Sequence, residues 1–130
     1  MSNRNTGQDN WKETLSEEEY RVARQGGTER PYTGELLNNK QTGNYLCKCC
    51  KAKLFDSDAK FDSGCGWPSF FDQSEEANVL YREDNSLGMQ RTEIVCKQCD
   101  AHLGHVFNDG PAPTGQRYCV NSVSMSFEGE

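Results

Sequence analysis

The chain has 130 residues and carries a net charge of −6 with a pI of about 4.9, which excludes the basic surface that nucleic-acid binding requires. Its mean hydropathy is −0.89, and no apolar run approaches the ~20 residues that cross a bilayer, so we expect no contact with membranes. The first residues, MSNRNTGQDN, lack the basic start and the apolar stretch of a secretory signal. We expect a cytoplasmic monomer in which residues 1–10 are a disordered tail and residues 11–130 form a single domain.

A short helix is predicted at the start of this domain. Ser16 and Glu19 have the spacing of a capping box, in which each side chain accepts a hydrogen bond from the other residue's backbone. Gly26 and Gly27 indicate where the helix ends, because glycine readily takes the left-handed conformation that follows a helix.

From Tyr45 onward the pattern is that of β-strands, with short runs rich in Val, Ile, Tyr and Phe between Gly, Asp, Asn or Pro. The predicted strands cover residues 44–47, 52–55, 78–83, 89–96, 104–108 and a last strand from Arg117 through Phe127. Spacing of this kind indicates an antiparallel sheet or barrel and not alternating strands and helices.

Two Cys-x-x-Cys pairs, Cys47 with Cys50 and Cys96 with Cys99, predict a metal site. Each pair follows a strand-like segment and precedes a short turn, and four thiolates facing one another form the closed tetrahedron of structural zinc. Soft sulfur ligands select zinc or iron, and the residue types do not decide between these two metals. The alternatives are a dithiol redox pair or two unrelated turns. Cys49, inside the first pair, is interpreted as a spectator.

Residues 61–71, with the sequence FDSGCGWPSFF, are interpreted as an exposed, flexible loop. Gly64 and Gly66 flank Cys65, so we expect this thiol to be poorly buried and free to move. Trp67 belongs either to the core, which is the commoner place for tryptophan, or to the wall of a pocket beside Cys65.

Both histidines of the chain lie within residues 101–109. His102 and His105 fall on opposite faces of a regular strand, but a bulge at Gly104 would bring them together. We favour a proton-handling pair over two structural histidines.

The last predicted strand carries a candidate nucleophile. Side chains alternate between the faces of a strand, so Arg117, Cys119 and Asn121 project to the same side. A guanidinium beside a thiol favours the reactive thiolate. Cys119 as a small buried hydrophobe is the alternative, and its two polar neighbours argue against a purely apolar site.

Together these strings resemble the methionine-R-sulfoxide reductase B family. The resemblance covers nearly the whole chain after the tail and is carried by GGTERPYTGEL, both Cys-x-x-Cys pairs, GCGWPSF, HLGHVFNDGP and RYCVNS. It implies a mainly β fold of two antiparallel sheets forming an open barrel around one structural zinc ion, with short N-terminal helices. It also implies reduction of methionine-R-sulfoxide in oxidised proteins, with thioredoxin as the reductant.

The resemblance also implies a role for each matching residue. Cys119 matches the nucleophile and Cys65 the resolving thiol. The matching zinc ligands are Cys47, Cys50, Cys96 and Cys99. Trp67 matches the residue against which the substrate methyl group packs, and Phe107 helps to close that pocket. The polar residues near the sulfoxide oxygen and the thiolate are His102, His105, Asp109, Asn121 and Arg117.

The expected reaction starts with attack of the Cys119 thiolate on the sulfoxide sulfur, while a histidine protonates the departing oxygen. Cys119 becomes a sulfenic acid, and Cys65 then closes a disulfide that thioredoxin reduces.

Three rival functions use similar residues. A zinc-stabilised binding module without catalysis is the main alternative, because folds of this kind also serve as interaction modules. A zinc nucleobase deaminase requires the motif His-x-Glu. Two residues after His102 and His105 the chain has Gly104 and Phe107, so the catalytic glutamate of a deaminase is missing. A Cys–His hydrolase would leave Cys65 without a role.

Overall fold

A computed structural model of the chain describes residues 15–85, 88 and 90–129. These residues contain one α-helix, α1 (Glu17–Ala23), and nine strands. The strands are β1 (Gly43–Cys47), β2 (Lys53–Asp56), β3 (Lys60–Phe61), β4 (Ser69–Phe70), β5 (Val79–Asp84), β6 (Arg91–Cys96), β7 (His102–Phe107), β8 (Arg117–Val120) and β9 (Met125–Gly129). The expected tail at residues 1–10 lies outside the described residues, and the single domain over residues 11–130 stays a prediction.

Helix α1 begins as predicted. The Ser16 hydroxyl accepts from the Glu19 backbone at 3.1 Å, and the Glu19 carboxylate accepts from the Ser16 backbone at 2.9 Å, so the capping box is confirmed. The helix ends at Ala23, and Gly26 adopts the left-handed conformation with φ +75°. No helix within the described residues has the length and apolar character needed to cross a membrane.

The strands form two antiparallel sheets. One has the order β2-β1-β9 and the other the order β3-β4-β8-β7-β6-β5. The mainly β fold and its two antiparallel sheets are confirmed, and the sheets are not closed into a barrel. Where several short helices were expected, the described residues contain α1 alone as an α-helix, with short 3₁₀ turns elsewhere.

The core lies between the two sheets. Phe55 of the smaller sheet stacks on Phe70 of the larger one with ring centroids 4.2 Å apart. Tyr45 and Phe70 pack edge to face with centroids 5.0 Å apart, and Phe55 and Tyr118 do so at 5.6 Å. Because Tyr118 faces this aromatic core, its neighbours in β8 point to the opposite face of the sheet. That face carries the candidate nucleophile, Cys119.

The single strand predicted from Arg117 through Phe127 is wrong. Strand β8 ends at Val120, a 3₁₀ turn follows at Ser122–Ser124, and β9 then joins the other sheet beside β1. The N-terminal segment holds this turn, because the Ser122 hydroxyl accepts from the Leu36 backbone at 2.8 Å and the Val123 backbone donates to a carboxylate at 3.0 Å.

The exposed loop predicted over residues 61–71 is also wrong in part. Its end forms β4, in which Ser69 and Phe70 are buried and pair with β8. Phe70 is drawn inward because its ring stacks in the aromatic core between the sheets.

Candidate active site and metal centre

Cys119 lies at the centre of the larger sheet. Its strand, β8, runs between β4 and β7, and the Cα partners of Cys119 are Ser69 on one side and His105 on the other. The side chains of such cross-strand partners lie on the same face, so the thiol sits in a row between a hydroxyl and an imidazole.

Arg117 contacts the Cys119 thiol directly. Its Nη1 donates to Cys119 Sγ at 2.8 Å, as the alternation along the strand predicted. Asp109 holds the guanidinium from the other side through two hydrogen bonds, of 2.8 and 3.1 Å. These bonds raise the pKa of Arg117 and lower the pKa of Asp109. Phe107 packs under the guanidinium with its ring centre 4.5 Å from Cζ, which further fixes the cation.

The structure brings Cys65 against Cys119. Their sulfur atoms are 3.0 Å apart, and both thiols are free. The prediction that Cys65 is poorly buried is wrong, because the residue is half-buried. Its freedom to move stays a prediction. Its backbone donates to the Ser63 hydroxyl at 3.3 Å, and its sulfur lies 3.4 Å from the Ser69 hydroxyl.

The two sulfurs share one hydrogen bond, so their pKa values move in opposite directions. Donation from Cys119 lowers the pKa of Cys65 to about 4, and the same bond raises the pKa of Cys119. Arg117 opposes the rise at Cys119, because a cation favours the thiolate beside it. The shared hydrogen bond therefore favours the proton on Cys119, whereas the guanidinium favours the thiolate at Cys119 and the proton on Cys65.

A cavity of about 290 Å³ opens onto Cys119. It is lined by Thr28, Trp67, Arg91, Gly104, His105, Phe107, Arg117, Cys119 and Asn121. Pockets for drug-sized ligands are usually ~300–1,000 Å³, so this one suits a single side chain. Trp67 forms part of its wall, which was one of the two predicted places for that residue. Cys65, His102 and Asp109 are not among the lining residues.

The predicted bulge at Gly104 is confirmed. The register between β6 and β7 shifts so that Leu103 is inserted between His102 and Gly104. The imidazole rings of His102 and His105 consequently meet edge to face with centroids 5.8 Å apart. Glycine is required at 104 because a Cβ there would lie 1.9 Å from the backbone oxygen of Cys119.

The two histidines have separate carboxylate partners. His105 Nε2 is 2.7 Å from Asp84 Oδ2, and His102 Nδ1 is 2.7 Å from Glu93 Oε2. His102 is 7% exposed, and burial lowers its pKa although Glu93 acts in the opposite direction. Of the two rings, only His105 reaches the cavity.

Glu29 is a buried positioning residue that sequence reasoning missed. It is 2% exposed, and burial raises its pKa. Its backbone donates to Asn121 Oδ1 at 2.9 Å and accepts from Trp67 Nε1 at 3.1 Å. Asn121 Nδ2 also donates to the Leu103 backbone at 3.0 Å, so its amide braces the cavity floor. No sequence signal identifies Glu29, because the residues it joins are distant along the chain.

Asp84 and Arg91 were also missed. They are Cα partners at the end of the β5–β6 hairpin, and Asp84 Oδ2 accepts from Arg91 at 3.3 Å as well as contacting His105. The sequence places an acidic residue at the end of one predicted strand and a basic residue near the start of the next. It does not give the register of β7 on β6, which brings His105 to Asp84.

The four cysteines of the two Cys-x-x-Cys pairs converge. The ligand atoms of Cys47, Cys50, Cys96 and Cys99 all lie within 4.8 Å of one another. Cys47 and Cys99 are 3.6 Å apart, and Cys50 and Cys96 are 3.5 Å apart. A zinc tetrahedron with bonds of ~2.3 Å has edges of ~3.8 Å, so this donor set fits zinc.

The two cysteine turns have the same backbone. Lys51 donates to the carbonyl of Cys47, Asp100 donates to the carbonyl of Cys96, and both donors are left-handed with φ of 69° and 65°. One turn follows β1 and the other follows β6, so a metal here would join the two sheets.

Arg24, at the end of α1, reaches this cluster from the helix. Its guanidinium donates to the Cys99 carbonyl at 2.9 Å and to Cys99 Sγ at 3.5 Å. Cys49, which was interpreted as a spectator, is 8% exposed beside the cluster. It is not one of the four converging ligands.

Comparisons with known proteins agree with this geometry. The SelR domain matches residues 15–129. The peptide methionine sulfoxide reductase MsrB of Alteromonas mediterranea is 68% identical over 120 residues, covering 92% of this chain and 84% of that protein. The proteins of the same name from Teredinibacter turnerae and Acinetobacter baumannii are 53% and 59% identical, covering 100% and 91% of this chain and 97% and 85% of their own lengths.

Proposed function

This chain belongs to the SelR domain family, and we propose on that basis that it reduces methionine-R-sulfoxide in oxidised proteins back to methionine. The observation that carries the mechanism is the position of Cys119. Its sulfur faces a cavity of side-chain size, with a guanidinium at 2.8 Å and a second thiol at 3.0 Å.

In the first step the shared proton rests on Cys65, and the Cys119 thiolate attacks the sulfoxide sulfur. A sulfur–sulfur bond forms, the sulfur–oxygen bond of the substrate breaks, and the protonated oxygen leaves as water. His105 is the proton donor for the departing oxygen, since it lines the cavity and is the cross-strand partner of Cys119. Its bond to Asp84 fixes the ring, and general acid catalysis of this kind is worth roughly 10²–10⁴ in rate. Water then attacks the Cys119 sulfur and breaks the sulfur–sulfur bond, which releases methionine and a proton and leaves the sulfenic acid of Cys119.

His102 and Asp109 act through their neighbours in this proposal. His102 lies edge to face against His105 and keeps that ring in place. Asp109 holds Arg117 toward the thiol by two hydrogen bonds. Trp67 and Phe107 offer apolar walls for the substrate methyl group, and Asn121 shapes the floor.

In the second step Cys65 attacks the sulfenic sulfur of Cys119. A disulfide forms and the oxygen leaves as water, so two electrons pass from the thiol pair to the substrate. Exchange with a dithiol protein such as thioredoxin then restores both thiols. The short distance between the two sulfurs supports Cys65 as the resolving residue.

One zinc ion bound by the four converging cysteines would stabilise the fold by on the order of 10 kcal/mol and join the two sheets. Four sulfur ligands complete a tetrahedral site, so the cysteine set has no position for a substrate at the metal. A reducing compartment such as the cytoplasm suits a chain whose described cysteines are all free thiols. We also propose that the protein acts as a monomer.

The test is reduction of the separated R and S epimers of a blocked methionine sulfoxide, with dithiothreitol as electron donor. We expect methionine from the R epimer alone and none with Cys119→Ser. If the folded, zinc-loaded protein converts neither epimer, the proposal fails and a non-catalytic zinc module becomes the better interpretation.

A further inference from the structure

The turn that carries Cys65 is held from outside by Tyr32. The Tyr32 backbone donates to the carbonyl of Gly66 at 2.7 Å, and the Tyr32 hydroxyl donates to the carbonyl of Gly64 at 2.8 Å. The two acceptors flank Cys65, so Tyr32 is hydrogen-bonded to the Cys65 turn on both sides of the cysteine. The ring is otherwise solvent-facing, with 68% of the residue exposed.

Tyr32 adopts a backbone conformation that tyrosine seldom takes. Its φ is +68°, in the left-handed region that favours glycine. Such conformations persist where surrounding contacts enforce them, and they concentrate at functional sites. If position 32 served only to turn the chain, glycine would do so without strain. The side chain at this position therefore has a use of its own.

The segment before Tyr32 packs against the same turn. The Trp67 indole donates to the Glu29 carbonyl at 3.1 Å. Gly66 has a φ of +97°, and a Cβ there would lie 2.7 Å from Cβ of Pro31. The Gly66 side of the turn is therefore closely packed against this segment. The Gly64 side is open, because a Cβ at Gly64 would meet nothing within 4 Å. The Tyr32 hydroxyl anchors this more open side.

We propose that Tyr32 is a positioning residue for closure of the Cys65–Cys119 disulfide, an inference that rests on the proposed function. By gripping both flanks of the turn, Tyr32 keeps the Cys65 sulfur 3.0 Å from the Cys119 sulfur while the first step proceeds. When Cys119 becomes a sulfenic acid, the Cys65 thiol attacks at once, a sulfur–sulfur bond forms and water leaves. A released turn lengthens the lifetime of the sulfenic acid, which further oxidant converts irreversibly to sulfinic acid.

Loss of the Tyr32 hydroxyl should therefore slow the second step and spare the first. Tyr32→Phe keeps the ring and the backbone bond to Gly66 but removes the bond to Gly64. A single hydrogen bond of this kind corresponds to about a three- to tenfold change in rate. Tyr32→Gly removes the ring as well as the hydroxyl, so it should slow disulfide closure more than Tyr32→Phe does. Glycine also adopts the left-handed conformation without strain, so the backbone turn at position 32 is kept.

The experiment is a single turnover of the reduced protein with one equivalent of methionine-R-sulfoxide. Acid-quenched samples are analysed for methionine, for the disulfide by mass spectrometry, and for the sulfenic acid by its adduct with dimedone. We expect unchanged methionine formation in Tyr32→Phe, slower disulfide formation and more adduct. Tyr81→Phe is the matched control, because it removes another half-exposed tyrosine hydroxyl, one bonded to Tyr118 and Gln73.

The outcomes separate two failures. If the wild-type protein makes no methionine, the proposed function fails whatever the variants do. If methionine forms and the disulfide closes equally fast in wild type and Tyr32→Phe, the positioning role is overturned. A variant in which both steps slow together also overturns it, because the effect would then be one on the fold in general.

Discussion

Two groups of sulfur atoms in this chain have similar spacing and different surroundings. The four-cysteine cluster has sulfur distances of 3.5 and 3.6 Å, and the Cys65–Cys119 pair has one of 3.0 Å. Each group contains a sulfur that accepts a hydrogen bond from an arginine. Arg24 donates to Cys99 in the cluster, and Arg117 donates to Cys119 in the pair. A neighbouring cation therefore does not by itself distinguish a reactive thiol from a structural one.

The difference lies in number and access. Four sulfurs complete a tetrahedron around a metal, and a metal-bound thiolate with no open position is not available as a nucleophile. Two sulfurs cannot complete such a site, and Cys119 opens onto a cavity of side-chain size. The same side chain is thus placed to hold a metal in one region and placed for chemistry in the other.

The largest expected effect comes from breaking the cluster. Cys96→Ser removes one of four ligands, and loss of a structural zinc site is worth on the order of 10 kcal/mol, comparable with the whole stability of a domain. We expect the variant to bind less than one metal ion per chain and to melt without a cooperative transition. Metal analysis and circular dichroism measure both.

Cys49→Ser is the control for this change, since it removes a buried thiol in the same turn that is not one of the four ligands. It should retain the metal and a cooperative transition. A folded Cys96→Ser protein with a full metal complement would break the comparison between the two sulfur groups.

The second prediction concerns the pair. Cys119→Ser should abolish methionine formation, and Cys65→Ser should release one equivalent of methionine and then stop when thioredoxin is the only reductant. Both variants should retain metal and melting temperature, because neither sulfur belongs to the cluster. Continued thioredoxin-driven turnover by Cys65→Ser would remove the assigned role of that thiol.

The third prediction uses pH. The pKa of Cys65 is lowered to about 4, so the reduced pair keeps its thiolate as the pH falls from 8 to 5. An ordinary thiol with a pKa of ~8.5 loses most of its thiolate over that range, by roughly a thousandfold. Alkylation of the pair by iodoacetamide, followed peptide by peptide, should therefore decline by less than about twofold. A thousandfold decline would show that the two sulfurs do not share a proton.

The smallest expected effects distinguish the two arginines. Arg24→Gln removes the contacts to Cys99 and should speed release of the metal to a chromophoric chelator several-fold, without changing alkylation of Cys119. Arg117→Gln should slow alkylation of Cys119 and leave the rate of metal release unchanged. Loss of the cation raises the pKa of Cys119, and Arg117 does not contact the cluster. Equal effects of both variants on metal release would contradict this separation.

Much of the site was predictable because its determinants are close in sequence. The capping box joins Ser16 to Glu19, and each Cys-x-x-Cys turn forms within a few residues. The Gly104 bulge was also predicted from its immediate neighbours. Such features depend on backbone hydrogen bonds between near neighbours, which the residue types largely determine.

The errors fell where distant contacts override local pattern. Residues 117–127 have the composition of one strand, but contacts from Glu29 and Leu36 bend the chain at Ser122–Ser124. Residues 61–71 have the composition of a loop, but Phe70 gains more from the aromatic core than from solvent exposure.

The sequence by itself determined the chemical content of this protein: the donor set for a metal, a thiol beside an arginine on one face of a strand, and two histidines around a bulge. Tertiary structure decided which groups that are distant along the chain meet. Cys65 reaches Cys119 across 54 residues, and Glu29 reaches Asn121 across 92. Alternation along a strand is a property of neighbouring residues, whereas the pairing of strands and the docking of segments depend on the packing of the whole chain.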